Sequence, residues 1–280
     1  MNITRALVEN GQVSFTLENT TEIVNTAVKL HALAPASTLA FGKALCAMTF
    51  MSACLKRETG EISLSVQGDG LGGNICVSGN YTLHLRGYIN NPTLKTQSEN
   101  EILGAGSLTI IRDDGYNRPF VGTCALPELG GVDGAFEEYF RVSEQLPTRI
   151  KTVVELDEKG EVAFAGVACL QPLPFADNDA LENTANADLE RFVSALKTMD
   201  TQTAVNTLFA DCTALETRTA SYQCNCSKEY LSRVIVALGE KEIRDIVREE
   251  GSVKVHCHYC NTDYEFADKD IDELFNKDKK

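Results

Sequence analysis

With 280 residues, 43 % hydrophobic content and a net charge of −14, the chain is globular, with room for one substantial core and a smaller module. The acidic balance argues against an electrostatic grip on nucleic acid. Ten cysteines would suit a secreted disulfide scaffold. The residues after Met1, however, show no charged leader, apolar run and cleavage site, so the expectation is a cytoplasmic protein with reduced thiols.

Residues 3–8 and 12–17 are β-like runs joined by Asn10-Gly11, a pair that tolerates positive φ and turns hairpins. Thr20 or Thr21 starts a helix with Ile23, Val24, Ala27, Val28 and Leu30 on one side. Pro35 opens a second helix running to about Leu55, rich in Ala, Leu, Met and Phe. Lys43 near its middle, with Ser37, Thr38, Gly42, Thr49 and Ser52 diluting the apolar run, makes it a buried core helix rather than a membrane span.

The pattern then switches to strands. Ile62, Leu64 and Val66 alternate ahead of a glycine-rich stretch at residues 68–73. No Lys-Ser/Thr follows it and the chain continues into Ile75-Cys76-Val77 rather than a helix, so it reads as a strand-to-strand turn and not a phosphate loop. Further strands are expected at residues 83–89, 106–112, 120–124, 151–156 and 162–170, with a helix at 134–143. This order predicts an α+β domain over residues 1–174 with a large mixed or antiparallel sheet.

No nucleophile–base set stands out there. His31 and His84 read as surface or packing residues, Asp113-Asp114 as a turn, and Glu137-Glu138 as a solvated helix face. Cys46, Cys54, Cys76, Cys124, Cys169 and Cys212 lack motif spacing and read as small core residues.

After Pro172-Leu173-Pro174 the composition changes. Residues 175–221 lose their strands and read as helical but poorly committed, with Asn178, Asn183, Asn186, Asn206 and many threonines. Eight acidic residues against three basic ones give this segment a net charge of −5. Leu189, Phe192, Val193 and Leu196 form one amphipathic stripe, and helices of this kind persist mainly by docking. The segment is therefore a metastable linker whose fold depends on what it packs against.

Residues 222–280 carry the constellation with the most specific chemistry. Cys224-Asn225-Cys226 and Cys257-His258-Tyr259-Cys260 are separated by 30 residues, a zinc-site pattern. Four thiolates can surround one Zn2+ tetrahedrally and leave no open position, which favours a structural or sensing metal over a catalytic one. His256 or His258 could replace one cysteine, but four thiols make that unnecessary. Between the pairs, Ser227 can cap a helix with Leu231, Val234, Ile235 and Leu238 on one face, and Gly239 suits a left-handed cap. A second helix carries Ile243, Ile246 and Val247 and ends at Gly251. A strand hairpin then turns through residues 260–263 with Val253, Val255, Tyr264 and Phe266 alternating. Residues 268–280 read as a helix end fraying into solvent. Such a module is too small to rely on its own core, so the metal should supply much of its folding energy.

The motifs extend across the chain. They include Thr20-Thr21-Glu22, Gly68-Asp69-Gly70, Arg86-Gly87-Tyr88 with Asn91-Pro92, and Gly106-Ser107-Leu108-Thr109 running into Ile111-Arg112-Asp113. Tyr139-Phe140 with Ser143-Glu144-Gln145, Gln171-Pro172-Leu173-Pro174 and the two cysteine pairs complete them. On these residues the sequence resembles the heat shock protein 33 family of redox-regulated bacterial holdase chaperones. The resemblance implies that the reduced protein holds one Zn2+ per chain through Cys224, Cys226, Cys257 and Cys260 and is inactive. It further implies that oxidation forms the disulfides Cys224–Cys226 and Cys257–Cys260, the zinc leaves, and the linker unfolds to hold unfolding client proteins without ATP. A homodimer on activation is also implied. The chain departs from many relatives in lacking a proline between Gly70 and Leu71, and its six further cysteines exceed the family pattern.

Two other classes compete. A zinc-ribbon nucleic-acid module is disfavoured by 13 acidic against 10 basic residues in residues 222–280. A thiol-disulfide oxidoreductase using Cys257 and Cys260 calls for a βαβ context, whereas the pattern here is helix then strand hairpin. The expectation is a chaperone without enzymatic activity, nucleic-acid partner or membrane partner.

Overall fold

The computed structural model describes residues 2–277 except 97, 175, 178 and 186–188. Phe175, Asn178 and Asn186 of the linker and residues 278–280 of the tail lie outside the described residues. The chain divides into two compact units, Met1–Gln223 and Cys224–Lys280.

The first unit opens with the hairpin β1 (Ile3–Val8) and β2 (Val13–Asn19), turned through Glu9, Asn10 and Gly11, all at positive φ. Helices α1 (Thr21–His31) and α2 (Pro35–Ala53) follow. Then come β3 (Glu61–Gly68), β4 (Ile75–Asn80), β5 (His84–Ile89), the short α3 (Glu99–Leu103), β6 (Gly106–Asp113) and β7 (Phe120–Ala125). Helix α4 (Gly131–Tyr139) runs into a π-helical turn at Phe140–Glu144, and β8 (Arg149–Leu156) and β9 (Val162–Pro172) complete the strand-rich part. The linker forms α5 (Ala180–Ala185), α6 (Leu189–Ala195) and α7 (Thr201–Leu208), followed by strands β10 (Thr213–Arg218) and β11 (Ser221–Tyr222).

The α+β class holds, with two sheets in place of one large sheet. One has the order β10-β1-β2-β9-β8 and the other β11-β5-β4-β3-β6-β7. Every pairing is antiparallel except β11 with β5, which is parallel. Helix α2 packs against strands of both sheets, and 16 of its 19 residues are buried. A helix enclosed on all sides is apolar all round, which explains the run that resembles a membrane span. Among the described residues no helix is long and apolar enough to cross a membrane. Its Lys43 is neutralised by Glu99 of α3 at 2.6 Å.

Strand β9 shows why the five-stranded sheet needs two covers. Ala165, Val167 and Cys169 face the core around α2, whereas Phe164, Ala168 and Leu170 face a second cluster that includes Leu181, Phe192, Val193 and Val205 of the linker. A strand buried on both faces reads as a continuous apolar run rather than an alternating one.

The glycine-rich stretch is a strand-to-strand turn, as expected. A Cβ at Gly68 or Gly70 would run into the backbone at Leu103, and Asp69 Oδ1 accepts from the Ala105 N–H at 2.7 Å. The glycines permit this backbone-to-backbone approach.

Two expectations need correction here. The linker does not lose its strands: Thr213–Arg218 pairs with β1 and Ser221–Tyr222 with β5. Those pairings join residues 206–215 apart in the first case and 137 apart in the second, and their partner edges are invisible in local periodicity. Glu137 is not a solvated residue; it is half-buried and accepts from the Ile150 N–H at 3.1 Å, and burial raises its pKa.

Candidate metal centre and the linker

The second unit is built from α8 (Lys228–Leu238), α9 (Glu240–Glu250), the hairpin β12 (Ser252–Cys257) and β13 (Thr262–Ala267), and α10 (Asp268–Lys277). Ser227 caps α8, its Oγ accepting from the Tyr230 N–H at 3.0 Å. Gly251 takes the left-handed conformation that ends α9. Gly239 has φ 99° and ψ 141°, so it joins α8 to α9 as a sharp link and not as the left-handed cap expected. The tail is also more than a fraying end: Ile271 and Phe275 of α10 are buried with Ile235, Ile243, Val253 and Phe266. Val234 and Leu238 remain exposed, so only part of the expected α8 face is buried.

This framework gathers the four cysteines. Cys224 and Cys226 lie in the extended chain before α8, Cys257 ends β12, and Cys260 lies in the turn to β13. Cys260 N–H donates to the Cys257 carbonyl at 3.3 Å. All four Sγ atoms lie within 4.8 Å of one another. Cys224 and Cys257 Sγ are 3.8 Å apart, and Cys226 and Cys260 Sγ are 3.2 Å apart. Sulfurs placed 2.3 Å from a tetrahedral zinc are separated by about 3.8 Å. The donor set and its spacing therefore fit a closed four-thiolate centre with small adjustments. His256 is engaged elsewhere, its Nδ1 2.7 Å from Asp263 Oδ1 with its ring against His258.

The thiols are not equivalent. Burial raises the Cys224 thiol steeply and pushes Cys260 up to about 11. At Cys226 burial also raises the value, but hydrogen bonds with Tyr264, Cys260, Cys224 and Cys257 outweigh it and bring the thiol down to about 7. The Tyr264 hydroxyl lies 3.2 Å from Cys226 Sγ. The site's own hydrogen bonds thus favour the thiolate at Cys226. Tyr264 was missed as a partner of the site, though its alternation on β13 gives the signal.

The six other cysteines all belong to the first unit. Cys46, Cys124 and Cys169 are buried, and Cys54, Cys76 and Cys212 half-buried. Burial pushes Cys46 up to about 12, Cys54 and Cys124 to about 11, and Cys169 well above the usual thiol range. Such thiols carry little thiolate to react with an oxidant.

In the linker, Phe192, Val193 and Leu196 are buried and Leu189 partly so, all against the outer face of the five-stranded sheet. The Phe15, Phe192 and Phe209 rings form a trio with centroids 4.9–5.4 Å apart. Leu181, Val205 and Phe209 share this cluster. They were not singled out in the sequence, although Val205 and Leu208 have helical spacing. Edge strand β8 adds three ion pairs, Arg149–Glu182, Lys151–Glu190 and Lys197–Glu155, at 2.5, 3.2 and 2.6 Å. Just past the linker, the Tyr222 hydroxyl donates to the Gly87 carbonyl at 2.8 Å and lies 3.0 Å from His31 Nε2.

A two-sheet α+β unit with its second face closed by a linker, followed by a small four-thiol module, defines a two-unit protein with four clustered cysteines able to hold a metal ion. The family described as Hsp33 protein matches residues 2–267, and the chain belongs to this family. It is 31 % identical to the 33 kDa chaperonin of Clostridium novyi, covering 99 % of this chain and 98 % of that one. It is 32 % identical to the 33 kDa chaperonin of Acetivibrio thermocellus, covering 96 % and 95 %. The crystal structure of the 33 kDa chaperonin of Thermotoga maritima shares the fold, with TM-score 0.77 and 23 % identity over 99 % of this chain and 98 % of that one.

Proposed function

We propose that the chain is a redox-regulated, ATP-independent holdase of the cytoplasm that binds unfolding proteins under oxidative stress without catalysing a covalent change in them. The observation that carries this reading is the joint presence of four thiols gathered within 4.8 Å and a linker docked over an apolar sheet face. In the reduced state Cys224, Cys226, Cys257 and Cys260 would hold one Zn2+, which would cross-link the second unit and keep the sulfurs as thiolates.

Oxidation then acts on the chain's own sulfurs. Two thiolates and one hydrogen peroxide give one disulfide and two hydroxides, the O–O bond breaking as the S–S bond forms. Repeating this step yields Cys224–Cys226 and Cys257–Cys260. The shortest sulfur contacts run across the pairs, from Cys224 to Cys257 and from Cys226 to Cys260, so the within-pair bonding is a distinct claim that peptide mapping tests. Disulfide sulfurs no longer serve as thiolate ligands, and the folding term lost is on the order of 10 kcal/mol. A core of six buried side chains cannot replace it.

Loss of the second unit releases the linker, and the sheet face of Ala6, Val8, Val13, Phe15 and Leu17 opens to clients. The oxidised form self-associates as a homodimer; nucleic acid and membrane are not partners. Light scattering of a thermally unfolding client tests the reading: the oxidised chain suppresses aggregation and the reduced chain does not. Equal suppression by both forms would refute the switch.

A further inference from the structure

Apart from the Arg5–Glu216 ion pair, strand β10 is held to β1 chiefly by its main chain. All six of its residues, Thr-Ala-Leu-Glu-Thr-Arg, are half-buried or exposed, and Leu215 is 52 % exposed. In register, Thr4 faces Thr217, Arg5 faces Glu216 and Ala6 faces Ala214, with a bulge between Arg5 and Ala6. Directly opposed side chains share a face of the sheet. Ala6 belongs to the cluster beneath the linker helices, so β10 offers that face only Ala214 and Thr217. Strand β1 is the opposite case: Ile3, Thr4, Ala6 and Val8 are fully buried, as in a central strand. It holds no proline and a single charge, Arg5, which Glu216 neutralises at 2.9 Å. Permanent edges are usually blunted by lysines, prolines or short length, and β1 is shielded chiefly by β10 itself.

We propose that the edge of β1 is a strand-addition site for client segments, occupied by β10 in this structure and vacated when the linker releases. The proposal rests on the chaperone reading above. The occupant it fits is an extended segment with apolar side chains at alternate positions and an acidic residue in reach of Arg5. The seated strand shows that the edge takes extended chain, and main-chain pairing is indifferent to sequence while side-chain pockets set preference. A client with leucine or valine at the places of Ala214 and Thr217 adds apolar contact with Ala6 and Thr4 that β10 does not make. It therefore competes with β10 once the linker helices are gone.

The test uses the full-length oxidised chain and synthetic peptides of residues 211–220 carrying Ala214→Leu and Thr217→Leu. Two versions are N-methylated at alternate amides, one in each frame. An added strand pairs through one edge only, so one frame should weaken binding at least tenfold and the other should not, and the reduced chain should bind neither. Equal binding in both frames, or no peptide binding by an oxidised chain that still suppresses aggregation, overturns the edge and leaves the chaperone reading standing. Frame-dependent binding without suppression of aggregation refutes the chaperone reading, and the client assignment falls with it.

Discussion

In the first unit, Phe41, Leu45 and Met48 of α2 are closed in by strands of two sheets, and a second apolar cluster backs one of those sheets. In the second unit, among the described residues, the buried apolar core is Ile235, Ile243, Val253, Phe266, Ile271 and Phe275. The thiols follow the same division. In the large unit, burial keeps Cys46, Cys54, Cys124 and Cys169 protonated; in the small one, four half-buried thiols converge and Cys226 is brought down to about 7. The difference teaches that stability and reactivity have been placed apart. The unit that can fold on apolar burial holds four thiols that burial keeps protonated, and the small unit holds the four that converge.

The largest expected effect comes from removing the metal ligands. Cys226→Ser, or a strong chelator, should remove a folding term on the order of 10 kcal/mol from the second unit. Amide exchange should then become fast throughout residues 224–277 while α2 and β9 stay protected. Equal loss of protection in both units would break the comparison.

Next in size is the linker. Phe192 is buried against Phe15 and Phe209, and Phe192→Ala should cost about 3–5 kcal/mol. The variant should suppress client aggregation while still reduced and metal-loaded, with faster exchange over residues 180–208. If it stays inactive until oxidised despite a loosened linker, undocking is not sufficient for activity.

A smaller effect concerns Glu18 on β2, which is fully buried with no hydrogen-bond partner for either carboxylate oxygen. Burial raises its pKa well above the usual carboxylate range, with Arg5 opposing. An acid whose folded pKa is raised binds its proton more tightly when folded. Its ionisation is therefore harmless below the unfolded pKa and increasingly destabilising as pH rises towards the folded one. Glu18→Met should stabilise the first unit by about 1–3 kcal/mol at pH 4, where the acid is neutral but still unpartnered, and by more at pH 8, read by denaturant unfolding at both. A gain independent of pH would mean that ionisation is not the cause.

The smallest expected effect is the most discriminating for the thiols. Replacing Cys46, Cys54, Cys76, Cys124, Cys169 and Cys212 by alanine or serine should leave oxidative activation within about twofold of the parent, since thiolate character sets reactivity. Loss of activation would place sensing chemistry in the large unit.

The sequence carried more of the site than of the fold. The cysteine spacing named all four sulfurs that converge, because metal-ligand spacing is a local signal, and the stripe of Leu189, Phe192, Val193 and Leu196 was legible from helical period. The splitting of the strands into two sheets was not legible, because registers such as β1 with β10 join residues far apart in the chain. Thr213–Arg218 reads as helical or irregular by composition and becomes a strand because β1 offers it an edge. The buried ends of α10 were hidden by its charge: Ile271 and Phe275 stand among acidic and basic residues that face solvent.

The central claim is that loss of the metal and gain of client binding are one event. It is tested most directly by titrating a single reduced sample with hydrogen peroxide while measuring bound zinc and suppression of client aggregation in parallel. Zinc should start at one per chain, and the two curves should change together, with suppression absent at full occupancy and complete when the zinc is gone. Suppression that develops while zinc occupancy remains full, or full zinc release with no suppression, would contradict the claim.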